Sequence, residues 1–187
     1  ADSFEALRET VLACTQCPNL VSSRKNVVFG VGNASADLMF VGEAPGAEED
    51  RRGLPFVGPA GRLLDKMLAA IGLGREDVYI TNILPWRPPG NRTPSADEIA
   101  LCKPFIARHI ALSKPDILLL VGNISSKTLL DTQTGITKLR GQWQSYKADG
   151  LNIPALPLLH PAYVLRRPET KADMWADLCL LRKRLAD

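Results

Sequence analysis

Four short apolar runs, each closed by a polar loop, constrain the fold of this chain more than any other feature. Asp37-Leu-Met-Phe-Val41, Val78 to Leu84, Ile117 to Val121 and Ile153 to Leu159 read as buried strands. Helical patterns separate them. Phe4 to Ala13 is amphipathic, and Leu63, Leu64, Met67, Leu68 and Ile71 recur at helical spacing. Ser95 to Leu112 opens on a capping box of Ser95 with Glu98, Ser125 to Leu130 begins another helix, and Trp175, Leu178 and Leu181 mark a closing one. Strands alternating with helices predict a three-layer α/β/α sandwich around a mostly parallel central sheet, with the ligand crevice beyond the carboxyl ends of the strands. The 187 residues suffice for one domain, residues 1–187, with a substantial core.

Composition narrows the function class only a little. Hydrophobic residues at 45% and charged residues at 23% suit a globular chain rather than a disordered one. A formal charge of +3 is compatible with a polyanionic partner without requiring one. No apolar run reaches the roughly 18 residues that span a bilayer, and Ala1 to Thr10 lacks a basic-then-apolar leader pattern. A cytoplasmic protein without membrane contact is therefore expected.

Chemistry-bearing residues cluster directly after the strands. The first strand runs into Gly42-Glu-Ala-Pro-Gly-Ala-Glu-Glu-Asp50, followed by Leu54-Pro-Phe-Val-Gly58. The second ends at Thr81-Asn82 and leads to the stiff loop Arg87-Pro-Pro-Gly-Asn-Arg-Thr-Pro94, and the last enters His160-Pro-Ala-Tyr-Val-Leu-Arg166. These motifs should meet at the crevice. The four cysteines include the close pair Cys14-Thr-Gln-Cys17, which is half a metal or cluster site. Spacing alone leaves a ligand pair and a relic pair equally open.

These motifs, in this order and spacing, closely resemble those of family 4 uracil-DNA glycosylases, from about Cys14 to the final helix. The resemblance implies the uracil-DNA glycosylase fold. It also implies a monofunctional enzyme that flips uracil out of DNA and hydrolyses its N-glycosidic bond, leaving an abasic site for base excision repair. No lysine stands in a motif position suited to Schiff-base chemistry.

The demands of that reaction fit the residues. Cleaving the bond builds positive charge on the sugar and negative charge on the departing base, so a donor aimed at the base anion is needed where water is excluded. His160 is the natural donor, and the resemblance places its imidazole at uracil O2; the competing reading is a histidine capping the turn before Pro161. Asn82 can accept from uracil N3–H and donate to O4, which cytosine would oppose with mismatched groups. Its competing reading is a turn asparagine. Phe56 is implied to stack on the flipped base, against the alternative that it folds back into the core. Glu43 and Glu49 match positions near base and sugar, where a carboxylate orients water or stabilises the sugar cation. Ala44 stands where family 1 enzymes carry a water-activating Asp. Backbone at Gly42, Glu43 and Ala44 is expected to cradle uracil. Glu48 and Asp50 read as a solvated acidic stretch.

Arg92, Asn123, Ser125, Lys127 and Arg166 are candidate DNA contacts, and Arg166 matches the position that relatives insert into the vacated stack. Related family 4 enzymes bind a [4Fe–4S] cluster through four cysteines. Cys14, Cys17 and Cys102 match three of them, whereas the remaining position holds Trp86, and Cys179 matches a non-ligand position. From the missing thiolate and the bulk of the indole, the expectation is no cofactor, with Trp86 packing in its place; the alternative is an iron–sulfur cluster through the three cysteines. A monomer acting on uracil-containing DNA is expected. A non-catalytic uracil- or abasic-site-binding protein of the same fold, and a redox protein built on the cysteines, remain as competing readings.

Overall fold

A computed structural model describes residues 1–187. In chain order the elements are α1 (Phe4–Ala13), α2 (Pro18–Ser23), β1 (Val31–Gly32), β2 (Leu38–Gly42), α3 (Ala47–Arg52), α4 (Pro59–Ala70), β3 (Val78–Asn82), α5 (Ala96–Ser113), β4 (Ile117–Val121), α6 (Asn123–Leu130), α7 (Ile136–Leu139), β5 (Gln144–Ala148), β6 (Leu151–Leu158), α8 (Pro161–Arg166) and α9 (Lys171–Ala186). The six strands form one sheet in the order β1-β3-β2-β4-β6-β5. Its four central strands run parallel, and β1 and β5 close the edges antiparallel.

The uninterrupted apolar runs have a direct structural cause. Successive residues of β2 and β4 point to opposite faces, and both faces are covered. Met39, Val41, Leu118 and Leu120 pack in a core with Leu7 and Val11 of α1, Leu20 of α2, and Ile106 and Ile110 of α5. Leu38, Phe40, Leu119 and Val121 pack on the other side with Leu64 and Leu68 of α4, Val164 of α8, and Leu178 and Leu181 of α9. The expected three layers follow. The capping box also forms, since Glu98 N–H donates to Ser95 Oγ and Ser95 N–H to Glu98 Oε1, both at 3.2 Å.

Several elements carry too little periodicity to be read from sequence. The edge strand β5 has one buried residue, Tyr146, among four more exposed ones, and β1 is two residues long. α3 forms where a loop is expected, and it corrects the reading of Asp50 as solvated. One turn of helix rotates Asp50 inward to 1% exposure, where its carboxylate accepts from Lys25 N–H at 2.8 Å and Asn26 N–H at 3.1 Å. Glu48 stays at the surface and pairs with Arg51. No helix is long and apolar enough to cross a membrane.

Candidate active site

The carboxyl ends of β2, β3 and β6 open onto one cavity of about 790 Å³. The expected residues Glu43, Ala44, Glu49, Phe56, Asn82 and His160 all line it. Gly42 lies just behind. A Cβ there would come within 2.4 Å of Asn82 Oδ1 and 2.7 Å of the Phe56 ring, so only glycine lets strand, amide and ring converge.

His160 is both a turn cap and a cavity residue. It is the N-cap of α8, and Ala162 N–H donates to its Nδ1 at 3.0 Å. The two readings offered by the sequence therefore coincide in one side chain. Because Nδ1 accepts, the neutral ring carries its proton on Nε2. Burial, reinforced by the Arg166 charge, pushes the imidazole down to about 4, so it is neutral at physiological pH. Gly122, at φ +90, brings α6 close: a Cβ there would be 3.1 Å from His160 Cβ.

Asn82, at the end of β3, is 6% exposed, and its amide has no hydrogen-bond partner within the chain. The amide faces the cavity, so its donor and acceptor are free to pair with a ligand that offers complementary groups. Phe56 likewise serves two ends. Its ring belongs to the α4-side core and faces the cavity, 5.6 Å from the His160 ring with planes 24° apart.

The two carboxylates differ. The Glu43 carboxylate has no hydrogen-bond partner, and burial raises its pKa above the usual carboxylate value. Glu49 accepts from Gly58 N–H, at the start of α4, at 3.3 Å.

Of the DNA-contact candidates, Arg92, Asn123 and Arg166 line the cavity, and Ser125 and Lys127 do not. Ser125 is fully buried, and its hydroxyl donates to Val41 O at 2.6 Å, tying α6 to the end of β2. Lys127 lies two residues further along α6. Arg92 is held by Glu98 through contacts of 2.6 and 3.2 Å, and Asn123 Oδ1 accepts from Ile136 N–H at 3.1 Å. Tyr163 and Leu165 also line the cavity, although sequence reasoning took them only as motif filler. The signal for Tyr163 is its spacing of three residues from His160 at the start of α8; Leu165 carries no such signal.

Cys17, Cys102 and Trp86 share the α5-side core, and Cys14 packs against it. Burial raises the pKa of both the Cys17 and the Cys102 thiol. Trp86 is fully enclosed, edge-on to Phe105 at 6.1 Å, with the Arg24 guanidinium 5.1 Å above its ring. Its Nε1–H and Arg24 Nη1 have no partner. Cys179 is exposed on α9, in the opposite layer. To a four-thiolate cluster the chain offers three sulfur ligands and an indole, and no three Cys, His, Asp or Glu groups are arranged to hold a single metal ion. The family's full ligand set is not met.

Residues 29–179 match the model of the uracil DNA glycosylase superfamily. The chain is 38% identical to the type-4 uracil-DNA glycosylase of Archaeoglobus fulgidus over 94% of its length and 90% of the relative. It is 40% identical to that of Sulfurisphaera tokodaii over 97% and 84%, and 43% identical to that of Thermotoga maritima over 87% and 83%. These relatives correct the expectation of no cofactor, because type-4 enzymes are the iron–sulfur type of this family. Matched along its length and across its motifs, the chain belongs to the uracil-DNA glycosylase superfamily and, within it, to the type-4 enzymes.

Proposed function

We propose that His160 drives uracil release by donating Nε2–H to uracil O2 as the glycosidic bond breaks. The observation that carries this reading is the Ala162 N–H bond to Nδ1, which leaves the ring's only proton on the nitrogen free to face a ligand. A neutral donor is matched to a developing anion: its bond strengthens as charge moves onto O2, so the transition state gains more than the bound substrate.

Asn82 reads the flipped base at N3–H and O4, and Phe56 stacks on its face. The C1′–N1 electron pair leaves with uracil, water oxygen bonds to C1′, and the water proton passes to Glu43. An unpaired, partly desolvated carboxylate regains the cost of its burial when positive charge grows on the sugar beside it. Glu49, steadied by Gly58, adds a second negative charge on that side. Arg166 and Arg92 border the cavity, where they meet backbone phosphates. No step runs through a cluster. The enzyme acts as a single-domain cytoplasmic monomer on uracil-containing DNA and leaves abasic DNA.

Release of free uracil from a uracil-containing oligonucleotide, with an alkali-labile abasic strand, tests the reading. Tight binding of that oligonucleotide without release would replace it with a non-catalytic binding protein.

A further inference from the structure

Phe56 holds an uncommon backbone conformation, with φ at +53, which a bulky residue adopts only where its surroundings impose it. The imposing group lies outside the cavity. Arg75, in the turn before β3, donates from Nη1 to Pro55 O at 3.1 Å, from Nη2 to Phe56 O, and from Nη2 to Gly61 O at 3.5 Å. Its Nε is fixed by Asp65 Oδ1 of α4 at 2.5 Å. One planar guanidinium thus gathers three carbonyls from the Phe56 loop and the first turn of α4, a task for which a lysine has the wrong geometry. The loop and helix also touch at Gly61, where a Cβ would lie 1.8 Å from Phe56 O. On the opposite side the Phe56 ring stands against Gly42 and, nearly parallel, beside His160.

We propose that Arg75 is a positioning residue for the reaction: it holds the Phe56 backbone left-handed, and thereby sets the ring against which the flipped uracil stacks. The claim rests on Phe56 being the stacking platform proposed above. Arg75 meets neither base nor sugar, so its effect on uracil passes through Phe56.

A double-mutant cycle of Arg75→Met with Phe56→Ala tests this by inhibition with free uracil, single-turnover excision, and affinity for uracil-free DNA. Arg75→Met should weaken uracil inhibition and slow excision by about tenfold, within the range for losing a base–aromatic stack, while leaving uracil-free DNA affinity unchanged. Arg75→Lys should fall between. In the Phe56→Ala background, Arg75→Met should cost nothing further, whereas a general loss of folding would cost the same in both backgrounds. Equal losses in both backgrounds, or normal uracil inhibition by folded Arg75→Met, would overturn the assignment. If Phe56→Ala alone binds uracil normally, the platform fails and the positioning claim with it; if it binds weakly while Arg75→Met and Arg75→Lys bind normally, only the positioning claim falls.

Discussion

Lowering the pH from 7.5 to 5.5 should leave His160 in its working state, although an ordinary histidine would be mostly charged by then. Burial and the nearby Arg166 charge bring its pKa from 6.5 to about 4. The shift is downward for a base, so the neutral form is lost only as pH falls through the folded value. At pH 5.5 about 97% of the rings would be neutral, against about 9% for an unshifted imidazole. Protonation would put a second N–H on Nδ1, facing the Ala162 N–H that now donates to it, so it would break the cap as well as change the donor. Single-turnover excision on uracil DNA across this range, at saturating enzyme, should therefore show no titration near 6.5. An unshifted histidine would give about a tenfold fall if the charged ring were inactive. Glu43, whose pKa burial raises, can add an acid limb of its own, and Glu43→Gln removes that limb. A break near pH 6.5 that persists in Glu43→Gln would refute the neutral, Nε2-protonated assignment.

Three further outcomes follow from the same geometry. His160→Ala should lower single-turnover excision by about 10²–10³ with little change in DNA affinity, and His160→Asn, a shorter donor, should fall between; a near-normal rate in either folded variant would shift leaving-group stabilisation elsewhere. Asn82→Asp replaces the amide donor with an acceptor, so uracil excision should fall and discrimination against cytosine narrow, measured on paired uracil and cytosine oligonucleotides. Asp50→Ala strands two backbone N–H groups under α3 and should cost on the order of 2–3 kcal/mol in denaturant unfolding, with Asp50→Asn costing less because one acceptor remains.

The central sheet was legible because burial on both faces leaves a mark that needs no tertiary information: the unbroken runs Leu38–Val41 and Ile117–Val121 have nowhere else to go. The cap at Ser95 and the convergence of the loops after β2, β3 and β6 were legible for the same kind of local reason. Ser125 and Asp50 were not. Both are short polar residues whose fate depends on which way one helical turn rotates them, and here it turns Ser125 onto Val41 O and Asp50 onto the backbone of residues 25 and 26.

The chain's own order of residues determined the layered fold, the family and the presence of Glu43, Ala44, Glu49, Phe56, Asn82 and His160 at the cavity, since each depends on periodicity and on motifs contiguous along the chain. Only the tertiary structure decided what those side chains do once there. The tautomer of His160 depends on the Ala162 N–H brought to Nδ1, the left-handed turn at Phe56 on a guanidinium nineteen or twenty positions away, and the closeness of Asn82 and Phe56 on a missing Cβ at Gly42. Hydrogen bonds and excluded volume act through space, and residues distant in sequence supply them.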